Sequence, residues 1–200
     1  MDAFEQVVAG LFHQEGYWIS QGFKVALTKE EKREIGRPSN AKWEIDLVAY
    51  KGSTGELLAI ECKSYLDSKG VEAAHIISPL SDTSRYKLFV EDTLRRVVLN
   101  RLALQLHESG LTPSGLIPKL ALVIGKSKSP KDTQLLHDYF AGKDWLLFDA
   151  NWLASHLEMT ANETYFDSVT HVVTKLIHRN PTGTNRFIGD ADDFRPSSPQ

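Results

Sequence analysis

The sequence predicts an α/β protein, and three observations carry that prediction. Two short continuous apolar runs, KLALVI at 119–124 and WLLF at 145–148, are separated by helical patterning, which favours parallel strands in a sheet covered on both faces. Upstream, WEIDLVAYKGSTGELLAIECKSY (43–65) reads as two strands joined by a Gly-Ser-Thr-Gly turn. Between these regions Val90, Leu94, Val98, Leu102 and Leu106 form an i, i+4 apolar row with Gly110 as its stop, the mark of a long core helix over 85–109.

The remaining elements follow in order. Asp2 caps a first helix through about His13, with Phe4, Val7, Val8, Leu11 and Phe12 as its apolar stripe. Gly16 ends it, and 17–27 reads as a strand. Residues 29–40 are charged and close on Arg-Pro-Ser-Asn, so an exposed loop is expected there. Gly70 and Pro79 break 66–84, leaving room for a short helix around 71–77. A helix over 131–140 precedes the WLLF strand, and Asp149 or Asn151 caps another through Leu157. The last helix is expected over 160–179, with Phe166, Val169, Val173 and Leu176 or Ile177 inward. From Asn180 onward Pro, Gly, Thr, Asp and Ser dominate. The expected organisation is one domain over 1–179 and a poorly ordered tail over 180–200.

Composition narrows the function classes. At 200 residues, 42% apolar and 24% charged, the chain suits one globular domain with a sizeable core. A single cysteine excludes an internal disulfide framework and any Cys-based zinc cluster. The seven histidines are scattered, with no His-x-x-x-His pair. Gly52 and Gly55 flank a hairpin turn and make no phosphate loop, and no Ser nucleophile elbow occurs. Asp2 and Glu5 stand where a signal peptide has bases, and no run approaches a membrane span, so a cytoplasmic location is expected. A net charge of −3 gives no general attraction to nucleic acid. The bases are nevertheless grouped: Lys29, Lys32, Arg33 and Arg37, then Arg85, Lys87, Arg95, Arg96 and Arg101. A local patch can hold phosphate although the sum is negative.

The hairpin carries the candidate chemistry. Side chains alternate along a strand, so Glu61 and Lys63 share one face while Ile60 and Cys62 point into the other layer. On the preceding strand Trp43, Ile45 and Leu47 share a face, leaving Glu44, Asp46 and Val48 on the other. Pairing the strands brings Asp46 beside Glu61 and Lys63. Both carboxylates are embedded among apolar residues, where an uncompensated charge is costly. Such groups are paired, hydrogen-bonded or metal-bound. A weak cross-strand ion pair on a solvated face is the bland reading. The functional one is a divalent-metal hydrolase site, since Mg²⁺ prefers carboxylate oxygens, water and a substrate phosphate.

The order Glu5, Asp46, Glu61-Cys62-Lys63 resembles the PD-(D/E)xK nuclease superfamily. The opening FEQVVAGLFHQEGYWIS is similar to the start of Mrr-like restriction endonuclease domains. The resemblance implies a restriction-endonuclease-like core, with a central mixed sheet of about five strands flanked by helices. It further implies that Asp46 and Glu61 ligate Mg²⁺, with Mn²⁺ able to substitute, and that the Cys62 backbone carbonyl completes the shell. Lys63 would position or activate the attacking water, and Glu5 would lie near the metal from the opening helix. A helix after the Glu-x-Lys strand adds a polar residue in several branches, which makes Arg101 and Gln105 auxiliary candidates. One departure is Ile45, where the family pattern has proline. The implied activity is metal-dependent hydrolysis of phosphodiester bonds in nucleic acid, DNA rather than RNA, with no membrane partner and a homodimer or larger complex left open. The alternative is a non-cleaving nucleic-acid- or protein-binding module in a larger defence or repair assembly.

Overall fold

The computed structural model describes residues 2–39, 42–79, 85–164 and 168–179. They fall into two compact units, one ending at His156 and one beginning at Leu157.

The first unit opens with α1 (Ala3–Gln14), whose start is fixed by a capping box. The Glu5 backbone N–H donates to the Asp2 side chain at 2.9 Å, and Glu5 Oε2 accepts from the Asp2 N–H at 3.4 Å. Gly16, at φ +88°, turns the chain out of the helix, a conformation that costs glycine nothing. Val8, Ala9, Leu11 and Phe12 form the buried face.

Five strands follow: β1 (Trp18–Val25), β2 (Trp43–Lys51), β3 (Glu56–Lys63), β4 (Lys119–Ile124) and β5 (Leu146–Phe148). They form one sheet in the order β1-β2-β3-β4-β5. The first three are antiparallel neighbours, while β4 and β5 are added in parallel. The expected five-stranded mixed sheet is therefore present.

Alternation along β3 and β4 sorts the core into two layers. Leu57, Ala59, Leu120, Leu122 and Ile124 join a cluster with Leu94, Val98, Leu102 and Leu106 of the long helix α5 (Asp92–Glu108) and with Leu136 and Phe140 of α6 (Pro130–Gly142). Burying each such leucine contributes roughly 1.5–3 kcal/mol. Leu58, Ile60, Cys62, Ala121 and Val123 alternate to the other side, where α1 packs on β1–β3. There the Phe12 ring meets Phe148 edge-on at 5.1 Å. Both faces of β3 are buried, which explains its near-continuous apolar run.

Several helix assignments differ from the sequence expectation. Residues 29–34 form α2 (Lys29–Glu34) and not a loop. Its charges mask the signal, because the helix is held from outside its own composition. Thr28 and Glu31 make a capping box, and Glu31 also binds Arg101 of α5. A short α3 (Ala74–Ile77) sits where a short helix is expected. The long helical signal is split into α4 (Lys87–Val90) and α5, with Glu91 extended between them and chelating Arg37 Nη2 through both carboxylate oxygens at 2.7 Å. Asp149, not Asn151, caps α7 (Ala150–Asn162), accepting from the Asn151 and Trp152 N–H groups at 3.0 Å each.

In the second unit, the last helix α8 spans Val169–Arg179, and residues 160–162 belong to the end of α7. The expected inward stripe is reversed. Val169, Val173, Leu176 and Ile177 are 81%, 47%, 58% and 61% exposed, while His171 and Thr174 are buried. Polar contacts set this orientation: Lys175 Nζ donates to the Ala161 carbonyl at 3.0 Å near the end of α7, a favourable place for a cation. Phe166 and the expected tail at 180–200 lie outside the described residues.

Candidate active site

The site forms where the β2–β3 ladder stops. Its last regular pairing toward that end is Leu47 with Ile60. One step further on, the Asp46 side chain takes over from the backbone: its Oδ2 accepts from the Cys62 N–H at 2.7 Å. Lys63 Nζ stands 3.7 Å from Asp46 Oδ2 and 3.6 Å from Glu61 Oε2. The hairpin thus brings Asp46, Glu61 and Lys63 together, and all three side chains are largely shielded from solvent.

Electrostatics follows from that crowding. Burial first, and then the neighbouring Asp46 charge, push the Glu61 carboxyl up to about 8 against the opposing pull of Lys63. Burial works to lower the Lys63 ammonium, but Glu61 and then Asp46 outweigh it and hold it above its ordinary value. Lys63 is therefore charged at neutral pH and faces both carboxylates as an ion-pair partner. Burial also pushes the Cys62 thiol up, so this cysteine is an inert small core residue, as its strand position suggested.

Glu5 belongs to the same electrostatic neighbourhood from α1. Burial, and next the Asp46 charge, raise its carboxyl above the ordinary value. Its carboxylate also serves the α1 capping box, which fixes where it points. The two auxiliary candidates are engaged elsewhere. Arg101 Nη2 lies 2.8 Å from Glu31 Oε1, and Gln105 bridges the Ala26 N–H and the Lys24 carbonyl at the end of β1.

Two features were not legible in the sequence. Tyr65 takes a left-handed conformation (φ +44°) two residues past Lys63, uncommon for an aromatic residue, and lies within the electrostatic reach of the lysine. Gly125, just past β4, meets the Ser64 backbone so closely that an added Cβ would collide with the Ser64 carbonyl oxygen. The Gly125 constraint arises only where two remote segments meet.

The donor set suits a hard divalent cation. Asp46 and Glu61 offer oxygen ligands, and a cation would offset both the burial that chiefly raises the Glu61 carboxyl and the lesser repulsion from Asp46. Among the described residues no group of three His, Cys, Asp or Glu side chains could hold a metal ion, so backbone oxygen and water must complete any such shell.

A restriction-endonuclease-like α/β fold, with acids and a lysine at the end of its central hairpin, is the class these features define. Comparison with protein families agrees: residues 14–99 match the family model described as restriction endonuclease, of the Mrr catalytic type. That stretch, which contains Asp46, Glu61 and Lys63 and begins after Glu5, is similar to Mrr-type restriction endonuclease domains and consistent with the PD-(D/E)xK pattern. Neither the curated proteins nor the solved structures gave a match. Among the described residues no helix is long and apolar enough to cross a membrane.

Proposed function

We propose that this chain hydrolyses phosphodiester bonds in nucleic acid, DNA rather than RNA, with a divalent metal. The observation that carries the reading is the convergence of Asp46, Glu61 and Lys63 within 4 Å contacts at the end of the β2–β3 hairpin, inside the matched segment.

Asp46, Glu61 and the Cys62 carbonyl would hold Mg²⁺ or Mn²⁺. When bound, such an ion polarises the phosphoryl oxygen and lowers the pKa of an attacking water. The Cys62 N–H fixes the Asp46 carboxylate, so one oxygen is oriented before substrate arrives. Lys63, held charged by its two acidic neighbours, steadies negative charge on the phosphoryl oxygens and orients the water. Glu5 supports from α1, as an orienting group or a ligand through water.

Cleavage of linear, circular and single-stranded DNA with Mg²⁺ or Mn²⁺, alongside RNA, tests the reading. Lys63→Ala is expected to abolish cutting while metal binding and fold persist. A Lys63→Ala chain that cuts as fast as the parent overturns the role given to Lys63. A folded, metal-binding parent that cuts nothing overturns autonomous catalysis.

A further inference from the structure

Asp46 sits where two strands change face together. The β1–β2 register sets Gln21 opposite Leu47 and Phe23 opposite Ile45, which places Gly22 across from Asp46. The strands pair regularly on either side of that step. The register is the same on both sides, so neither strand carries the inserted residue of a bulge. The side chains nevertheless fail to alternate through it. Ile45 and Val48 both join the cluster against α5, whereas Leu47 and Ala49 are buried on the other side. Strict alternation would send Ile45 and Val48 to opposite faces. β1 follows suit: Phe23 and Val25 pack with the α5 cluster, while Ile19 and Gln21 lie opposite Ala49 and Leu47.

A backbone feature accompanies the change. Gly22 has φ +58°, inside a strand where about −140° is ordinary. Residues with a side chain adopt that left-handed region rarely, Asn and Asp most readily among them. Space is not what excludes a side chain here. An added Cβ would have Glu44 Oε1, the end of a flexible side chain, as its nearest neighbour at 3.4 Å. Position 22 requires the conformation.

The change of face matters to the site because of where it aims Asp46. A strand residue in regular alternation projects into one layer or the other. Asp46 instead reaches sideways, its Oδ2 accepting from the Cys62 N–H at 2.7 Å, one step beyond the last Leu47–Ile60 pair. Strand N–H groups point across the sheet toward the neighbouring strand. The carboxylate that meets this one therefore lies at the level of the sheet, 3.7 Å from Lys63 Nζ.

We propose that Gly22 is a positioning residue for Asp46. Its left-handed backbone lets β1 turn over in register with β2, and that turn delivers the carboxylate to the Cys62 N–H, beside Lys63, as a metal ligand. That the carboxylate serves a metal rests on the nuclease reading, and the turn itself does not.

Two measurements on Gly22→Ala and Gly22→Asn test this. The first is amide hydrogen exchange of Cys62 in metal-free protein, taken relative to Leu58 deeper in β3 so that a global loss of stability cancels. Gly22→Ala is expected to speed Cys62 about tenfold, the size of a lost hydrogen bond to a charged group. Gly22→Asn, which tolerates the conformation, is expected to stay near the parent. The second is calorimetric titration with Mn²⁺. Gly22→Ala should weaken binding about tenfold or more, as loss of a group that orients a metal ligand does, and Gly22→Asn should recover most of it. Gly110→Ala removes another left-handed glycine (φ +71°), just past α5, and should move neither reading. A Gly22→Ala chain that melts earlier but keeps the parent's exchange ratio and Mn²⁺ affinity overturns the proposal, because the glycine then serves the fold alone. Gly22→Asn as damaging as Gly22→Ala overturns it as well, since conformation is then not what position 22 supplies. A parent that binds no Mn²⁺ overturns the metal reading, and the exchange ratio by itself then decides whether Gly22 positions Asp46.

Discussion

Asp46 Oδ2 accepts the Cys62 N–H at 2.7 Å while standing 3.7 Å from Lys63 Nζ. One carboxylate oxygen thus completes a strand ladder and faces the charged lysine of the site. The two duties are separable by substitution. Asp46→Asn keeps an acceptor for Cys62 and removes the charge, so melting near the parent with no cleavage is expected. Asp46→Ala leaves that N–H unpaired, at a cost of about 1–3 kcal/mol in denaturant unfolding. Equal stability for the two variants would mean that the hydrogen bond does not hold the ladder end.

Glu61 gives the metal-free protein a pH dependence of definite sign. Its carboxyl is raised in the fold to about 8, whereas in an unfolded chain it titrates near 4.3. Between those values the folded state binds more proton than the unfolded state, so stability falls as pH rises through that window. Melting in EDTA at pH 5, 6.5 and 8 should show this fall, after subtraction of the same series for Glu61→Gln. Mg²⁺ or Mn²⁺ should restore stability most at pH 8, where the ion meets an ionised ligand. A Glu61→Gln series parallel to the parent would show that Glu61 is not the titrating group.

Gly125 is expected to be intolerant. A methyl group there would press on the Ser64 backbone one residue past Lys63, and overpacking of that kind costs roughly 1–3 kcal/mol. Gly125→Ala should lower the urea midpoint and, by displacing Ser64, slow cleavage further than the stability loss accounts for. Wild-type midpoint and rate together would show that the β4 exit has room to move.

Arg101 separates a structural role from a catalytic one. Its guanidinium is bound to Glu31, which also closes the α2 capping box. Arg101→Met should lower the melting temperature and leave cleavage within a few-fold of the parent. A double-mutant cycle with Glu31→Gln should return a coupling of about 1 kcal/mol or less, the usual size for a pair at a surface. A hundredfold loss of cleavage at unchanged stability would instead restore Arg101 as an auxiliary site residue.

Much of this was legible along the chain because it depends on local pattern. Strand alternation put Glu61 and Lys63 on one face, and turn residues at 52–55 fixed the hairpin that carries Asp46 to them. Continuous apolar runs marked β4 as buried on both sides. The α1 capping box was only half visible: Asp2 was read as a cap, but its partner Glu5 drew attention as a site residue. The helix α2 was missed because its stability comes from Thr28 beside it and Arg101 far along the chain, neither of which shows in its own composition. The α8 face was misjudged for a related reason. Its apolar spacing was genuine, but spacing tells which residues share a stripe and not which stripe is covered.

By itself, then, the sequence determined the α/β class, the hairpin and the trio Asp46, Glu61 and Lys63. Each of these is set by the two-residue period of a strand or the chemistry of a turn, which act over a few neighbours. Tertiary structure alone decided that Glu5 feels Asp46 and that Arg96 and Arg101 of α5 are taken up by Glu34 and Glu31 of α2. Those facts join residues tens of positions apart. Charge and burial between such residues depend on distance in space, which no pattern along the chain encodes.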